Sequence, residues 1–337
     1  MCIQKNLTSK RRPPFWMLTI LASTLALAQP ALAQSTPKLP TVTITTGFPA
    51  GGSSDIVARL LAEHLRGGYA DNALVENKPG AGGRLALAQV KEGATDGGNI
   101  LLSPSGMFVL FPHIYTDLRY DSLTDFTPVT RLAKFPFLLV ISERVPPEVT
   151  SLDQFIAWAK ANPEQSSFGS PGAGTSAHFS GIQLGQLANF PYTHAAYRGM
   201  APLVTDLLGG HIASGVLTPA DVLPTLGTGK LRLLATTGDQ RSPFTPDVPT
   251  YTELGYPDIL IEESYSLYGP AKLSPERRDQ LATQAHAMLE QPDIQRRFAE
   301  MGLETAGTSP DELKAIIAQL HERWGGIVKS SDFTPSQ

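Results

Sequence analysis

From residue 41 to 103, short β-branched runs alternate with stretches whose apolar positions recur at helical spacing. The pattern predicts strands over 41–46, 73–76 and 100–103, with helices over 55–65 and 84–91 between them. Such alternation specifies βαβ units and a mostly parallel sheet. After a strand-rich region over 129–141 the alternation resumes: helix 151–161, strand 167–169, helix 175–187, strand 193–197, helix 200–208, and strands 213–217 and 231–236. The last third reads as helical. Ser274-Pro275-Glu276 and Ser309-Pro310-Asp311-Glu312 each put serine at an N-cap and proline at the first helical position, and Glu312 completes a capping box. Leu313, Ile316, Ile317, Leu320 and Trp324 then form one apolar face, which needs a folded partner.

The expected fold class is α/β: two doubly wound domains, residues 34–135 with 265–337 and residues 136–264, joined by a hinge above a central cleft. The chain would cross between them near 130–140 and again near 260–270. Two crossings make a hinge.

The first 33 residues stand apart from this pattern. A basic start (Lys5, Lys10, Arg11, Arg12), an apolar stretch over 15–28 and the small-residue site Ala31-Leu32-Ala33 are the parts of a secretory signal peptide, with cleavage after Ala33. The apolar stretch is short of the ~20 residues a membrane span needs, and so is every later run. Export to the periplasm without stable membrane insertion is therefore expected. Pro13-Pro14 follow the arginine pair where a twin-arginine signal would normally continue.

Charge and cysteine content narrow the field. Without the leader, the 27 basic residues fall to 23 against 31 acidic ones, a net charge near −8. That balance opposes nucleic-acid binding and any basic membrane patch. The single cysteine, Cys2, lies in the leader, so disulfides and thiol chemistry are not expected in the mature chain.

Candidate chemistry gathers in two turns. Ile44-Thr-Thr-Gly-Phe-Pro-Ala-Gly-Gly-Ser-Ser-Asp55 reads as a strand, a glycine turn and a helix start. Unpaired backbone N–H groups and the positive end of the helix dipole converge there, which suits an anion. It has neither the lysine of a P-loop nor a G-x-S-x-G nucleophile, so it holds rather than reacts. Ser167-Phe-Gly-Ser-Pro-Gly-Ala-Gly-Thr-Ser-Ala-His178 repeats the design, with Thr175 as N-cap. Two such loops, one per domain and both at strand carboxyl ends, can pinch one ligand.

Other strand ends supply further candidates. Ser105 and Gly106 follow strand 100–103 and could line the cleft or form a capped turn. Tyr197-Arg198-Gly199 offers Arg198 as a carboxylate fork, against a solvated arginine. After Thr218, Asp221 could meet a cationic or hydroxyl group of a ligand or cap the next helix. His178, in the first turn after the second loop, is the histidine to test. Gly80-Ala-Gly-Gly83 reads chiefly as a structural turn.

Metal and catalytic readings find little support. The seven histidines show no H-x-H or H-E-x-x-H spacing, so no metal or cofactor is expected. Gly172 to Ala177 fits a G-x-G-x-x-A dinucleotide pattern, but the acidic residue expected about 20 positions on is missing. No local motif links serine, histidine and aspartate into a hydrolase triad.

Taken together, Gly47-Phe-Pro-Ala-Gly-Gly-Ser-Ser-Asp55-Ile-Val-Ala-Arg59, Val75-Glu-Asn-Lys-Pro-Gly-Ala-Gly-Gly83 and Asp121-Ser-Leu-Thr-Asp-Phe-Thr-Pro-Val129 closely resemble the substrate-binding proteins of tripartite tricarboxylate transporters, the Bug family. Tyr197-Arg-Gly-Met-Ala-Pro-Leu203, Gly229-Lys-Leu-Arg-Leu-Leu-Ala-Thr236 and Val248-Pro-Thr-Tyr-Thr-Glu-Leu-Gly-Tyr256 continue the match in family order. The resemblance implies a monomeric, non-catalytic periplasmic receptor with the type II periplasmic binding protein fold. It would close on a small organic acid and deliver it to transporter membrane subunits; a sensor kinase is the alternative partner.

The resemblance also implies that Phe48, Pro49, Ala50, Gly51, Ser53 and Ser54, with Ser170, Gly172, Gly174 and Thr175, grip one carboxylate through amides, hydroxyls and water. Ser105, Gly106, His178, Tyr197, Arg198, Thr218, Asp221 and Tyr265 complete the expected lining. Ser266 and Tyr268 stand where relatives often carry a tryptophan-glycine pattern, and Met107 makes the turn after Ser103 more apolar. Both departures bear on the ligand's far end.

Overall fold

The chain's structure, a computed structural model, describes residues 1–3, 37–331 and 333; the leader's basic and apolar stretches and its cleavage site lie outside the described residues. All the elements belong to the unit Lys38–Gln337. The first run is β1 (Leu39–Thr46), α1 (Ser53–Leu65), β2 (Ala70–Asn77), α2 (Arg84–Lys91) and β3 (Asn99–Pro104), followed by two short helices, α3 (Gly106–Val109) and α4 (Phe111–Ile114). Then β4 (Phe126–Pro136) runs almost directly into β5 (Leu138–Ile141).

The second run is α5 (Leu152–Ala161), β6 (Ser167–Ser170), α6 (Ser176–Leu187), β7 (Thr193–Ala196), α7 (Met200–Leu208), β8 (Ser214–Leu217), α8 (Pro219–Val222) and β9 (Arg232–Thr236). A long return leads to β10 (Glu262–Pro270), and α9 (Pro275–Leu289), α10 (Pro292–Glu300), β11 (Glu304–Thr305) and α11 (Pro310–Ser330) close the chain.

These strands form two sheets, of order β11-β4-β10-β3-β1-β2 and β7-β6-β8-β5-β9. The mostly parallel arrangement expected from the alternation is corrected here. β1 pairs parallel with β2 and β3, and β6 parallel with β7 and β8, as the βαβ units require. However, β10 runs antiparallel to β3 and β4, and β5 antiparallel to β8 and β9. The antiparallel pairs all involve strands that enter or leave a sheet at the crossing, or the short β11 beside β4.

The crossing is pinned by one side chain. The buried Thr237 hydroxyl accepts from Phe137 N–H at 2.8 Å and donates to Ile261 O, while Ile261 N–H donates to Thr237 O at 2.9 Å. Both passes between the sheets are thus tied to each other, near residues 137, 237 and 261.

Strand alternation divides the core. Leu139 and Ile141 of β5 join the large cluster that runs through both sheets, from Leu101 and Leu267 to Phe168 and Val216. Leu138 and Val140 point the other way, into a smaller cluster with Leu203, Leu207 and Leu217. The closing helices pack back on the first sheet, as expected. Ser309 and Glu312 form the capping box, and Leu313, Ile317 and Trp324 are buried along α11.

Candidate functional site

Both glycine turns open helices at strand ends, but the two starts are finished differently. α1 has Gly52 as its N-cap, and no side chain caps it. α6 has Thr175, whose hydroxyl accepts from His178 N–H at 3.3 Å. The first N–H groups of a helix have no intrahelical acceptor, so α1 presents the larger set of open donors.

Asp55 holds the first turn in shape. Buried in the first turn of α1, its carboxylate accepts from Gly51 N–H at 2.9 Å, Asn77 Nδ2 at 3.0 Å and Arg59 Nε at 2.9 Å. Asn77 also donates to Phe48 O at 3.1 Å. Burial pushes the Asp55 carboxyl up, but Arg59, Gly51 and Asn77 together hold it below the usual carboxylate range. Gly80 to Gly83 buttress the same turn: a Cβ on Gly47 would come within 2.7 Å of Gly83 Cα, so only glycine allows the approach. The structural reading of that segment fits. Met107 is also buried, accepting from Ser103 Oγ through its sulfur at 3.2 Å, and so belongs to the core.

The second turn is braced from within. Ser170 Oγ donates to Gly172 O at 2.9 Å and sits 2.7 Å from His194 Nε2. Thr175 Oγ1 also donates to Gly172 O at 2.9 Å, and Gly174 N–H donates to His178 Nδ1 at 3.0 Å. His178 stacks on His194 with ring centroids 3.5 Å apart. Burial, and then the facing His194, hold the His178 pKa down at about 3; burial holds His194 at about 4. Both rings are neutral supports at ordinary pH.

Between the turns lies β10. Ser53 Oγ and Tyr265 OH are 2.6 Å apart, which joins α1's first residue to that strand. Two residues earlier on the same face, the buried Glu263 gathers donors from both sheets' loops. Gly106 N–H reaches it at 3.0 Å, Ser264 N–H at 3.1 Å, Ser176 Oγ at 3.0 Å, and Ser105 Oγ also donates to it. Burial pushes the Glu263 carboxyl up, against these hydrogen bonds. Gly174, with φ of 74°, presses on α4, where a Cβ would come within 2.6 Å of Ile114 Cδ1. Ser53, Tyr265, Ser105, Gly106 and the α6 start therefore meet at one place.

Other expected lining residues are engaged elsewhere. Tyr197 OH donates to Asp206 at 2.8 Å; burial and that carboxylate push its pKa up to about 12. Arg198 is exposed, while Gly199 N–H ties its turn to Pro171 O at 3.2 Å. Thr218 Oγ1 donates to Asp221, whose carboxyl is pushed up by burial.

Sequence reasoning missed Asp55's bracing role, Asn77, Ser176 and Glu263. Asp55 carried a signal, since an acid at the third helical position can reach back to the turn. Glu263 did too: it alternates with Tyr265 and Leu267 on a strand face that is otherwise apolar. Two surface cavities, of about 320 Å3 beside Leu60, His64 and Arg297 and about 140 Å3 beside Lys134, Arg241 and Glu262, contain none of the loop residues.

Residues 57–333 match the family described as tripartite tricarboxylate transporter family receptor. The chain belongs to that family. Protein BugT of Bordetella pertussis is 31% identical over 94% of this chain and 96% of its own length. The solved periplasmic binding protein BugD superposes with a TM-score of 0.78 at 28% identity, covering 88% of this chain and 98% of BugD. A protein from R. palustris, solved with adipate, gives 0.82 at 28% identity over 88% of this chain and 98% of its own. The fold is thus that of the periplasmic binding proteins: two mixed α/β sheets, each flanked by helices. Among the described residues no helix is long and apolar enough to cross a membrane.

Proposed function

We propose that this receptor captures a small organic acid at the meeting point of its two glycine turns and delivers it to a tripartite tricarboxylate-type membrane transporter. The start of α1 carries the reading: no side chain caps it, it is held rigid by Asp55, and it is directed beside Tyr265 towards the α6 start. Helix starts offer partial positive charge without a full buried cation to desolvate, so the grip stays reversible. The adipate in the R. palustris protein fits this chemistry.

On this reading, residues 34–135 with 265–337 and residues 136–264 act as two lobes about the Thr237 crossing. The chain works as an exported, non-catalytic monomer cleaved after Ala33. Thermal shift of the purified protein against mono-, di- and tricarboxylates should give stabilisation that rises with concentration, about 2.7 kcal/mol at a hundredfold excess over Kd. Gly172→Trp, at a position where a Cβ would make only an ordinary contact, 3.7 Å from Thr175 Cγ2, should abolish the shift while the protein still melts cooperatively. Binding of uncharged sugars but of no acid would sink the proposal. Co-purification with a sensor kinase would redirect the delivery step.

A further inference from the structure

The closing helix does not stay with one sheet. α11 lies on β4, α3 and α4, where His113 Nε2 donates to His321 O at 2.8 Å. Its far end reaches α6 as well. Trp324 meets Phe179 edge-on, with ring centroids 5.7 Å apart, and Gln186 Nε2 donates to Ser331 O at 3.3 Å. Just beyond the helix, the half-buried Phe333 packs on Phe179 at 5.1 Å and edge-on to His178 at 5.4 Å. His178 is the ring that accepts from Gly174 N–H, so Phe333 backs on the second glycine turn; a Cβ on Gly174 would lie 3.7 Å from Phe333 Cζ.

Between the α4 and Ser331 attachments stand Gly325 and Gly326. Glycine weakens a helix interior, and glycines are among the few places where helices bend sharply. Gly325 has a packing reason, since a Cβ there would come within 3.0 Å of His113 Cε1. Gly326 has none: a Cβ there would meet nothing within 4 Å.

We propose that residues 327–333 form a latch, jointed at Gly325-Gly326, that clasps α6 of the second lobe and holds the two glycine turns together. This rests on the two-lobe part of the receptor reading and on nothing about the cargo. Moving the second turn away from α4 must pull Phe179 and His178 off Phe333, which returns apolar ring surface to water. The joint lets the latch follow α6 over small movements before it lets go. Apparent affinity scales with the fraction of molecules whose turns are already together, so the latch strengthens the grip without touching the ligand.

Spin-label distances across the lobes, read without cargo, test it. Labels are placed at exposed positions as two pairs, Asn72→Cys with Lys160→Cys and Asp117→Cys with Thr205→Cys, in a Cys2→Ser background. Phe333→Ala should raise the population of separated lobes roughly fivefold, the effect of losing a half-buried aromatic side chain, and Phe333→Leu should raise it much less. Gly326→Ala, which stiffens the helix in the form described, should lower that population, and only while Phe333 is present. Distances in Phe333→Ala identical to the wild type would overturn the latch. A population unmoved by Gly326→Ala, or moved equally with and without Phe333, would overturn its joint. If no acid stabilises the protein while the label distances respond as expected, the receptor reading falls and the latch stands.

Discussion

The Asp55 carboxylate separates structural support from charge display at the scale of one residue. Its partners are unequal. Arg59 is more than half exposed at 57%, where an ion pair contributes little, while Gly51 N–H and Asn77 meet a carboxylate that is 97% buried. Asp55→Ala should therefore cost about 1–3 kcal/mol in urea denaturation, because it leaves buried donors unpaired. Arg59→Ala should cost about 0.5 kcal/mol or less. Equal effects would assign the turn's stability to the ion pair. The roles of Ser170, Thr175 and Tyr197 were only half legible in the sequence. Ser170 and Tyr197 at strand ends and Thr175 at the N-cap are placed as expected, but their hydroxyls also serve Gly172 and Asp206, and such partners are set by backbone direction.

Whole elements were read more reliably when their signals were local. The Ser-Pro helix starts at 274 and 309, and the helix over Arg84–Lys91, appear where caps and periodicity place them. Strand direction did not, because β4 and β10 are partners separated by more than a hundred residues, and no local periodicity encodes that pairing. The second turn is an element with its own pH response. His178 and His194 are neutral in the folded chain, with pKa values near 3 and 4, against ~6.5 when unfolded. A lowered folded pKa gives stability that is fully present above pH ~6.5 and lost as pH falls towards 3, since the unfolded chain takes up the protons. Urea midpoints should accordingly fall between pH 6.5 and 4. Changing both histidines to glutamine should flatten part of that loss; His64 and His113, also held down chiefly by burial, act in the same direction. A slope unchanged in the double variant would remove the pair as its source.

Across the whole molecule, two sheets, two passes of chain and one pinned crossing bring a donor-rich turn from each side to β10. That the chain crosses twice could be read from the apolar face of the closing helix, which needs the first sheet as its partner. That a glutamate from the returning strand would stand between the turns could not, since it depends on the register of β10 against β3 and β4. The asymmetry of the two helix starts has a consequence for loading. α6 brings its own cap in Thr175, whereas α1 begins at a glycine. A carboxylate seated there takes the part of an N-cap side chain, an interaction worth about 1 kcal/mol to a helix. Amide exchange at Ser53, Ser54 and Asp55 should slow on loading far more than at Ser176 and Ala177; equal slowing at both would contradict this. On the proposed reading the cargo becomes, for as long as it is carried, the residue that completes the first turn of a helix, and each delivery returns those amides to water until the next molecule arrives.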